Sequence, residues 1–327
     1  MDRRRVLLVC DANPQMGTGH VMRQITLATS LKSMGASPLL FCNEIPESLI
    51  QRANSFGIDV QHRNLKQYDS ELLSEICSLQ TSAVVFDGYN FNSATVNAHF
   101  ETETPTIVLD DTGEFSDVKC HLILNQNLHA KESQYENNSC KPRLLLGLKW
   151  SLIRQEIVHE ASIHRTRTKE TIFIAMGGSD HLGLTQSIVG ELLSRNFSTS
   201  IAAGFYADRG MTPTEMAIAM ATSCALVIGC GTTVWEAMLL GKPFVGVVTA
   251  ENQIEVAASL ALAGICEIVD CRTVADVASI GLAVNRLVES TELYESISQL
   301  GPRLIDGKGS YRVAEEILNL SDFLIEN

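Results

Sequence analysis

Short apolar runs alternate with amphipathic stretches along most of the 327-residue chain. In the first half these runs are apolar at successive positions, which is typical of strands buried on both faces of a parallel sheet. They predict strands at Val6–Cys10, Pro38–Cys42, Ala83–Phe86, Thr106–Leu109, Leu122–Leu124 and Leu144–Leu146. Between the first two strands, apolar residues at helical spacing predict a helix from about Gly19 to Met34, which Gly35 ends.

A polar stretch from about Ile153 to Lys169 interrupts this alternation, and we place the domain junction there. The pattern restarts at Thr171 and predicts, in chain order, a strand Thr171–Ala175, a helix Leu184–Leu193, a strand Thr199–Ala203, a helix Thr214–Ser223, a strand Ala225–Ile228, a helix Val234–Leu240, a strand Pro243–Val248 and a helix Gln253–Leu262. From Val274 onwards the chain is predicted to be helical, with breaks at Gly301–Pro302 and in the segment DGKGS, residues 306–310.

Two halves of this βαβ type predict an α/β protein with two Rossmann-like, doubly wound domains that face each other. We assign residues 1–155 to the first domain, 170–305 to the second, and 306–327 to a final helix that returns to the first. Ligands of such sheets bind at the carboxyl ends of strands, so the chemistry is expected in the loops that follow strands.

Composition narrows the classes of partner. Hydrophobic residues make up 45% and charged residues 19%, as in globular proteins, and the net charge is -13. An acidic chain argues against general binding to nucleic acid or to anionic membranes, so an anionic ligand has to be held by local donors. The N-terminal segment MDRRRVLLVCDAN is interpreted as a first strand and not as a signal peptide. Nine scattered cysteines without a CxxC pair fit reduced thiols, so we expect a cytoplasmic protein. No run approaches the roughly 18 consecutive apolar residues of a membrane span, so we expect no stable membrane insertion. A monomer is the expected state.

The loop from Asp11 to Arg23, DANPQMGTGHVMR, follows the first strand, and Gly17 and Gly19 flank its last turn before the helix. Either the glycines allow close approach of backbone N–H groups to a ligand, or the turn simply needs glycine. In the first case Asp11, Gly17, Gly19 and Arg23 are the candidate substrate contacts of this loop. The dinucleotide fingerprint GxGxxG is not matched, because Met22 occupies its third glycine position. His20 lies in the first turn of the helix, where the dipole favours the neutral imidazole that a general base requires. It is therefore the candidate base, and the alternative is a histidine that lies on the surface or packs in the core with its hydrogen bonds satisfied.

The loop before the predicted helix at Val234 is Gly229-Cys230-Gly231-Thr232-Thr233. Gly231, Thr232 and Thr233 offer N–H groups and hydroxyls to a phosphate. Glu236 follows a turn later and needs donors of its own, which ribose hydroxyls would supply. It is equally well interpreted as an acidic residue that stabilises the first turn of the helix.

Two further segments are weaker candidates for substrate contacts. Gly178 and Ser179 belong to a GGSD loop that either closes on a ligand or forms an ordinary turn. Asn252 and Gln253 start a predicted helix, where they either bind sugar hydroxyls or cap the helix.

Absent motifs restrict the chemistry further. The sequence has no Walker A motif, no HExxH, no clustered Cys/His set and no GxSxG elbow. We therefore expect neither a metal nor another cofactor, and we expect helix dipoles and hydrogen bonds to stabilise a leaving diphosphate.

The segment GTGHVMRQITLATSL resembles the N-terminal motif of the UDP-sugar hydrolases of pseudaminic acid synthesis, which cleave UDP-2,4-diacetamido-2,4,6-trideoxy-β-L-altropyranose. The related spore-coat polysaccharide proteins share this motif, and the pattern GTT…E…GKP…NQ is also similar to that of MurG-type glycosyltransferases. The resemblance covers most of the chain in order, through VVFDGYNF, VLDD, LILNQN, LLGLKWSLIRQE, IFIAMGGSDHLGLT and GCGTTVWEAMLLGKPFVGVVTAENQ.

This resemblance implies a GT-B fold, no metal, and cleavage with inversion at the anomeric carbon. It makes His20 the base, places Tyr89 near the sugar, assigns phosphate to Gly231–Thr233 and ribose to Glu236, and assigns the nucleotide-sugar to Asn252 and Gln253. The family commonly has Arg-Ala-Asp-Ala-Ser after its first strand, where this chain has Val9-Cys10-Asp11-Ala12-Asn13, and the family's Asp-Gln-Asn is Asn125-Gln126-Asn127 here. These departures bear on the identity of the sugar.

The residues leave three functions open. A UDP-sugar hydrolase would use His20 to deprotonate water, and a glycosyltransferase would use the same base on an acceptor hydroxyl. A nucleotide-sugar binding protein would need no base at all. The sequence favours the hydrolase.

Overall fold

The computed structural model describes residues 4–12, 17–64, 70–88, 93–113, 115, 117–163, 168, 170–178, 180–202 and 210–326. The chain divides into two compact units. The first unit comprises Met1–Leu152 and Lys308–Asn327, and the second comprises Ile153–Gly307.

The first unit is built on a sheet that has seven strands within the described residues, and every pair of neighbours is parallel. The strands are β1 (Arg5–Cys10), β2 (Ser37–Cys42), β3 (Asp59–His62), β4 (Ala83–Asp87), β5 (Thr106–Leu109), β6 (Leu122–Asn125) and β7 (Arg143–Leu146), in the spatial order β3-β2-β1-β4-β5-β6-β7. The order reverses between β1 and β4, which end in register at Cys10 and Asp87. Such a reversal is where open α/β sheets bind ligands.

The second unit has a parallel sheet of five strands in the part of the chain that is described. The strands are β8 (Thr171–Ala175), β9 (Ser198–Ile201), β10 (Ala225–Gly229), β11 (Phe244–Val248) and β12 (Glu267–Asp270), in the order β12-β11-β10-β8-β9. Here the order reverses between β8 and β10. A Cβ on Gly229 would lie 3.8 Å from the carbonyl carbon of Met176, so the loops after these two strands are neighbours.

Helices cover the sheets. They are α1 (Gly19–Ser33), α2 (Glu47–Ser55), α3 (Ser70–Ser78), α4 (Ser93–Phe100), α5 (Gln155–Ala161), α6 (Leu184–Ser194), α7 (Pro213–Thr222), α8 (Thr233–Leu239), α9 (Ile254–Leu262), α10 (Val277–Glu289), α11 (Thr291–Leu304) and α12 (Gly309–Glu326). The central strands are apolar and buried, and each sheet packs its side chains into a core of its own unit. No helix in the described ranges has the length and hydropathy that crossing a lipid bilayer requires.

The last helix, α12, belongs to the first unit and packs against α1. A Cβ on Gly309, its first residue, would lie 2.2 Å from the carbonyl oxygen of Ser151, so only glycine allows this close approach. Val313, Ala314 and Ile317 are fully buried at helical spacing. The chain therefore completes the first unit only after it has traversed the second.

The predicted fold class is confirmed, since the two halves form two separate parallel sheets with alternating helices. The break predicted at Gly301–Pro302 is wrong, because α11 continues through Pro302 to Leu304. Pro302 lies in the last turn, where loss of one N–H removes little helix. Gly301 is required by packing: a Cβ there would lie 2.3 Å from the carbonyl oxygen of Met238 in α8.

Candidate functional site

In the first unit, α1 meets the carboxyl ends of β1 and β4. His20, Arg23 and Gln24 lie at i, i+3 and i+4 on one face of this helix, and all of them contact Asp87, the last residue of β4. These side chains are buried, with His20 7% exposed and Asp87 0%. The chain thus gathers a carboxylate, an imidazole and a guanidinium where the strand order reverses.

The carboxylate of Asp87 accepts hydrogen bonds on both of its oxygens. Arg23 Nε and Gln24 Nε2 each donate to Oδ2 at 2.8 Å, and Arg23 Nη2 donates to Oδ1. Burial alone would raise the pKa of Asp87. The electrostatic effects of Arg23 and His20, together with the hydrogen bonds from both, outweigh burial and hold that pKa well below its usual value. Asp87 is therefore ionised at neutral pH.

This ionised carboxylate sets the tautomer of His20. His20 Nδ1 lies 2.7 Å from Asp87 Oδ1. The carboxylate can only accept, and a bare Nδ1 lone pair at this distance would repel it, so we assign the proton to Nδ1. Arg23 Nη2 lies 3.0 Å from the same nitrogen and adds a positive charge beside the ring. The lone pair is left on Nε2, where a general base needs it.

The guanidinium of Arg23 also binds Asp111. Arg23 Nη1 lies 2.9 Å from Asp111 Oδ1 and 2.8 Å from Oδ2. Asn127 Nδ2 donates to the same Oδ1 at 3.2 Å. Burial opposes ionisation of Asp111, but Arg23 and His20 keep its pKa below the usual value. Arg23 is therefore held between the carboxylates of Asp87 and Asp111, and it is only 4% exposed. Its contact with substrate stays a prediction.

The neighbouring Asp110 stabilises a turn. Its Oδ1 accepts from the N–H groups of Thr112 (3.1 Å) and Gly113 (2.8 Å), and its Oδ2 accepts from Phe115 N–H (3.1 Å) and Tyr135 Oη (3.2 Å). Burial nevertheless raises its pKa. Asp110 therefore shapes the loop after β5, while Asp111 faces Arg23.

The remaining residues predicted in the first unit take varied positions. Asp11 is buried after β1, and its Oδ1 accepts from Glu44 N–H (2.6 Å) and Ala12 N–H (3.2 Å), which joins the ends of β1 and β2. Gly17 has a φ of +81°, the left-handed region that favours glycine, and Gly19 opens α1. Tyr89 lies outside the described residues.

In the second unit, the loop after β10 offers donors at the start of α8. Gly231 N–H donates to the Gly229 carbonyl at 2.8 Å, and Val234 and Trp235 N–H donate back to Gly231 and Thr232 at 3.1 and 3.2 Å. Within the described residues, the N–H groups of Thr232 and Thr233 have no hydrogen-bond partner. They are available to an anionic ligand.

Glu236 is engaged by an arginine that the sequence analysis did not single out. Arg154 Nε donates to Glu236 Oε1 and Arg154 Nη2 to Oε2, both at 2.6 Å. Arg154 is 5% exposed and Glu236 7%. Burial would lower the pKa of Arg154, but Glu236 raises it above the usual value. Ribose hydroxyls are therefore not required to explain this buried carboxylate, and their binding stays a prediction.

The other predicted residues of the second unit follow β8 and β11. Gly178 is half-buried in the loop after β8, whereas Ser179 lies outside the described residues. Gln253 Oε1 accepts from Thr249 N–H at 2.8 Å, so this side chain closes the turn after β11 and keeps its NH₂ group for other acceptors. Asn252 is exposed beside it.

Asp180, in the same loop as Gly178, has a structural role. Its two oxygens accept from the first N–H groups of α6, Leu184 at 3.0 Å and Thr185 at 2.9 Å. The carboxylate therefore caps the helix, which fixes the loop after β8.

Sequence reasoning missed Asp87 and Arg154. Both stand in segments that carry the family resemblance, and Asp87 ends a strand, which is the signal that could have identified it. Arg154 lies in the polar stretch that we interpreted as a junction. Among the described residues, no group of three or more His, Cys, Asp or Glu side chains is placed to hold a metal ion.

Comparison with known proteins gives relatives in sequence and in fold. No protein-family model matches the chain. It is 28% identical over 191 residues to the UDP-2,4-diacetamido-2,4,6-trideoxy-β-L-altropyranose hydrolase of Campylobacter jejuni, covering 58% of this chain and 65% of that protein. It is 25% identical over 281 residues to an uncharacterized protein of Methanocaldococcus jannaschii, covering 77% of this chain and 56% of that protein. The matches thus span less than two thirds of each relative.

The fold resembles that of MurG from Acinetobacter baumannii, with a TM-score of 0.64 at 13% sequence identity, over 97% of this chain and 99% of that one. At this identity the likeness shows the fold alone. The resemblance expected from the sequence is confirmed: the chain has the GT-B fold and is similar in sequence to the Campylobacter jejuni hydrolase.

Proposed function

We propose that this chain is an enzyme that acts on a UDP-linked sugar and, more specifically, hydrolyses it at the anomeric carbon with release of UDP. The observation that carries the proposal is the buried pair of His20 and Asp87, which are joined at 2.7 Å with Arg23 beside them. A protein that only binds a nucleotide-sugar needs no oriented base. The sequence similarity to a UDP-sugar hydrolase supports the substrate class, and a diacetamido-trideoxy hexose is the proposed sugar.

The proposed chemistry is a direct displacement with inversion. His20 Nε2 takes a proton from water while the water oxygen forms a bond to the anomeric carbon. The bond from that carbon to the diphosphate oxygen breaks, and UDP leaves with the electron pair. Asp87 stabilises the imidazolium that forms, because its charge and its bond to Nδ1–H persist throughout. General-base catalysis of this kind contributes typically about 10²–10⁴-fold.

The second unit is proposed to bind the nucleotide. The N–H groups of Thr232 and Thr233 would donate to the diphosphate and stabilise its charge as it departs. Glu236 would accept hydrogen bonds from the ribose, and Asn252 and the Gln253 NH₂ group would bind the rest of the nucleotide-sugar.

A glycosyltransferase remains the second candidate, since the fold is that of MurG. In that reaction an acceptor hydroxyl would replace water, and His20 would keep the same role.

Isotope labelling tests the proposal. The protein is incubated in H₂¹⁸O with a panel of UDP-sugars, with and without candidate sugar and lipid acceptors, and the products are analysed by mass spectrometry and NMR. We expect ¹⁸O in the free sugar and none in UDP, and an inverted anomer before mutarotation. Turnover only with an acceptor would replace the hydrolase by the transferase. Label in the nucleotide product would show attack at phosphorus and contradict both.

A further inference from the structure

The contact between Arg154 and Glu236 joins two elements of the second unit. Arg154 directly precedes α5, with extended backbone (φ -58°, ψ 143°), and Glu236 lies in the first turn of α8. The partners are separated by 82 positions in the sequence. The pair therefore ties the start of α5 to the turn that follows Gly231–Thr233.

The geometry of the pair fixes the carboxylate plane. Each Glu236 oxygen accepts one bond from Arg154, at 2.6 Å in both cases. A guanidinium is a rigid planar fork, so two parallel bonds remove rotation of the carboxylate about its last torsion. A lysine, which is a point charge, would leave that rotation free.

Acceptor capacity is left over on the carboxylate. Each oxygen has two lone pairs, and the fork uses one of them on each. The parallel fork uses the lone pairs on the side facing Arg154, so the remaining pairs diverge in the same fixed plane, and each of them suits one hydroxyl, such as one hydroxyl of a ribose. A side chain that is already ordered loses less conformational entropy when the ligand binds.

We propose that Arg154 is the positioning residue for ribose recognition: it holds the carboxylate of Glu236 in one orientation, in which it discriminates a ribonucleotide from a deoxyribonucleotide. This inference rests on the proposed function, because it takes Glu236 to bind the ribose. Arg154 itself is not a catalytic residue and acts through Glu236.

The test compares UDP with its 2′-deoxy and 3′-deoxy analogues by calorimetry, on wild type and on Glu236→Gln, Arg154→Met and the double variant. We expect wild type to prefer UDP by about 10- to 100-fold over the analogue that lacks the bound hydroxyl, which is the scale of a hydrogen bond to a charged group. The preference should fall to within about threefold in each single variant, with affinity for the deoxy analogues largely kept. In the Glu236→Gln background, Arg154→Met should cause no further loss of preference.

Folding is controlled separately, because Arg154→Met leaves a buried carboxylate unpaired. Arg154→Lys keeps the charge and loses the fork, so it should still fold and show a reduced preference. Arg195→Met removes a partly buried arginine from a carboxylate elsewhere in the same unit, where Arg195 Nε donates to Glu191 at 2.6 Å. It should retain the wild-type preference.

Two negative outcomes are distinguishable. If Arg154→Lys, or a folded Arg154→Met, prefers UDP as strongly as wild type while Glu236→Gln does not, the inference is overturned and the ribose contact stands. If wild type binds UDP and both deoxy analogues equally, Glu236 does not recognise the ribose. That result contradicts both the inference and the ribose contact in the proposed function.

Discussion

At the scale of single residues, Asp87 decides what His20 is able to do. It has no exposed surface, and its oxygens accept from His20, Arg23 and Gln24 at the end of β4. The imidazole therefore has a carboxylate on Nδ1, which leaves Nε2 as the nitrogen that carries the lone pair. This arrangement depends on a contact across 67 positions of sequence.

Replacing His20 tests its role as a base. In His20→Asn we expect turnover to fall by about 10²–10⁴-fold, since the proposed general base is lost. UDP affinity should stay near the wild-type value, because the proposed nucleotide contacts lie in the second unit. Turnover is measured as UDP release and binding by calorimetry.

His159→Ala is the matched control, since His159 is exposed on α5 and should be replaceable without loss of turnover. The hydrolytic mechanism fails if His20→Asn lowers thermal stability but leaves the activity per folded molecule near wild type.

His99 makes stability depend on pH. It is buried on α4, with Nδ1 2.9 Å from Thr106 Oγ1, and burial together with the nearby His121 lowers its pKa to about 4. The unfolded chain binds this proton near pH 6.5. The contribution to stability is therefore full above pH 6.5 and is lost as the pH falls towards 4, by up to about 3 kcal/mol.

Urea unfolding at pH 7, 6 and 5 measures this effect, with Trp150 fluorescence in a Trp235→Phe background reporting on the first unit. His99→Gln should flatten the dependence on pH. His121, whose pKa burial also lowers, should leave a smaller residual slope. A slope in His99→Gln equal to that of wild type would exclude His99 as its source.

At the scale of elements, the contact between α8 and α11 depends on the absence of one side chain. Gly301→Ala would place a Cβ 2.3 to 2.8 Å from backbone atoms of Met238, which are not free to move aside. We expect a loss of about 1–3 kcal/mol, as for other overpacked sites. The measurement is the urea midpoint of the second unit, followed by Trp235 in α8.

Gly190→Ala is the paired control. Gly190 lies inside α6, and a Cβ there would meet no atom within 4 Å. We expect a gain of about 0.5–1 kcal/mol from helix propensity. Equal effects of the two substitutions would mean that backbone propensity, and not the helix contact, explains Gly301.

The sequence predicts the buried strands well, and of the four edge strands in the described sheets it predicts β7 and β9 but misses β3 and β12. β1, β4 and β10 are continuous apolar runs, and their positions follow directly from that pattern. β3 (DVQH) and β12 (EIVD) lie at the sheet edges, where one side is uncovered and polar residues are tolerated, so the apolar signal is weak. The helix break expected from Gly301 and Pro302 does not occur, because proline removes little helix in a last turn and Gly301 is required by the contact with Met238.

The candidate site follows the same logic. The sequence identifies His20 as a candidate base from its position directly after a glycine turn. This is possible because the effects of caps and helix dipoles extend over only a few residues. Its partner Asp87, and the partner of Glu236, Arg154, are distant in sequence. His20 and Asp87 are brought together only by the order of the parallel strands. Periodicity along the chain does not encode that order.

At the scale of the whole molecule, the chain is acidic and yet is proposed to bind an anion. With a net charge of -13 it gives little long-range attraction to a diphosphate. Binding therefore depends on donors that act at short range, such as the N–H groups of Thr232 and Thr233.

For this reason we expect turnover to survive EDTA. UDP release is measured after dialysis against the chelator and again after addition of Mg²⁺ or Mn²⁺. We expect both rates to equal that of the untreated protein. If chelation abolishes turnover and either ion restores it, a metal ion and not the backbone donors stabilises the charge of the diphosphate.

The first unit is discontinuous, and this has a consequence for how the protein is made. The ribosome delivers residues 1–152 first, then the whole second unit, and only then α12, which packs on α1. During translation the second unit is able to fold as soon as it emerges, while the helix that carries His20 still lacks its cover. His20 therefore reaches its final surroundings only after α12 has left the ribosome, so a nascent chain that stops short of α12 does not hold the covered cluster of His20, Arg23 and Asp87.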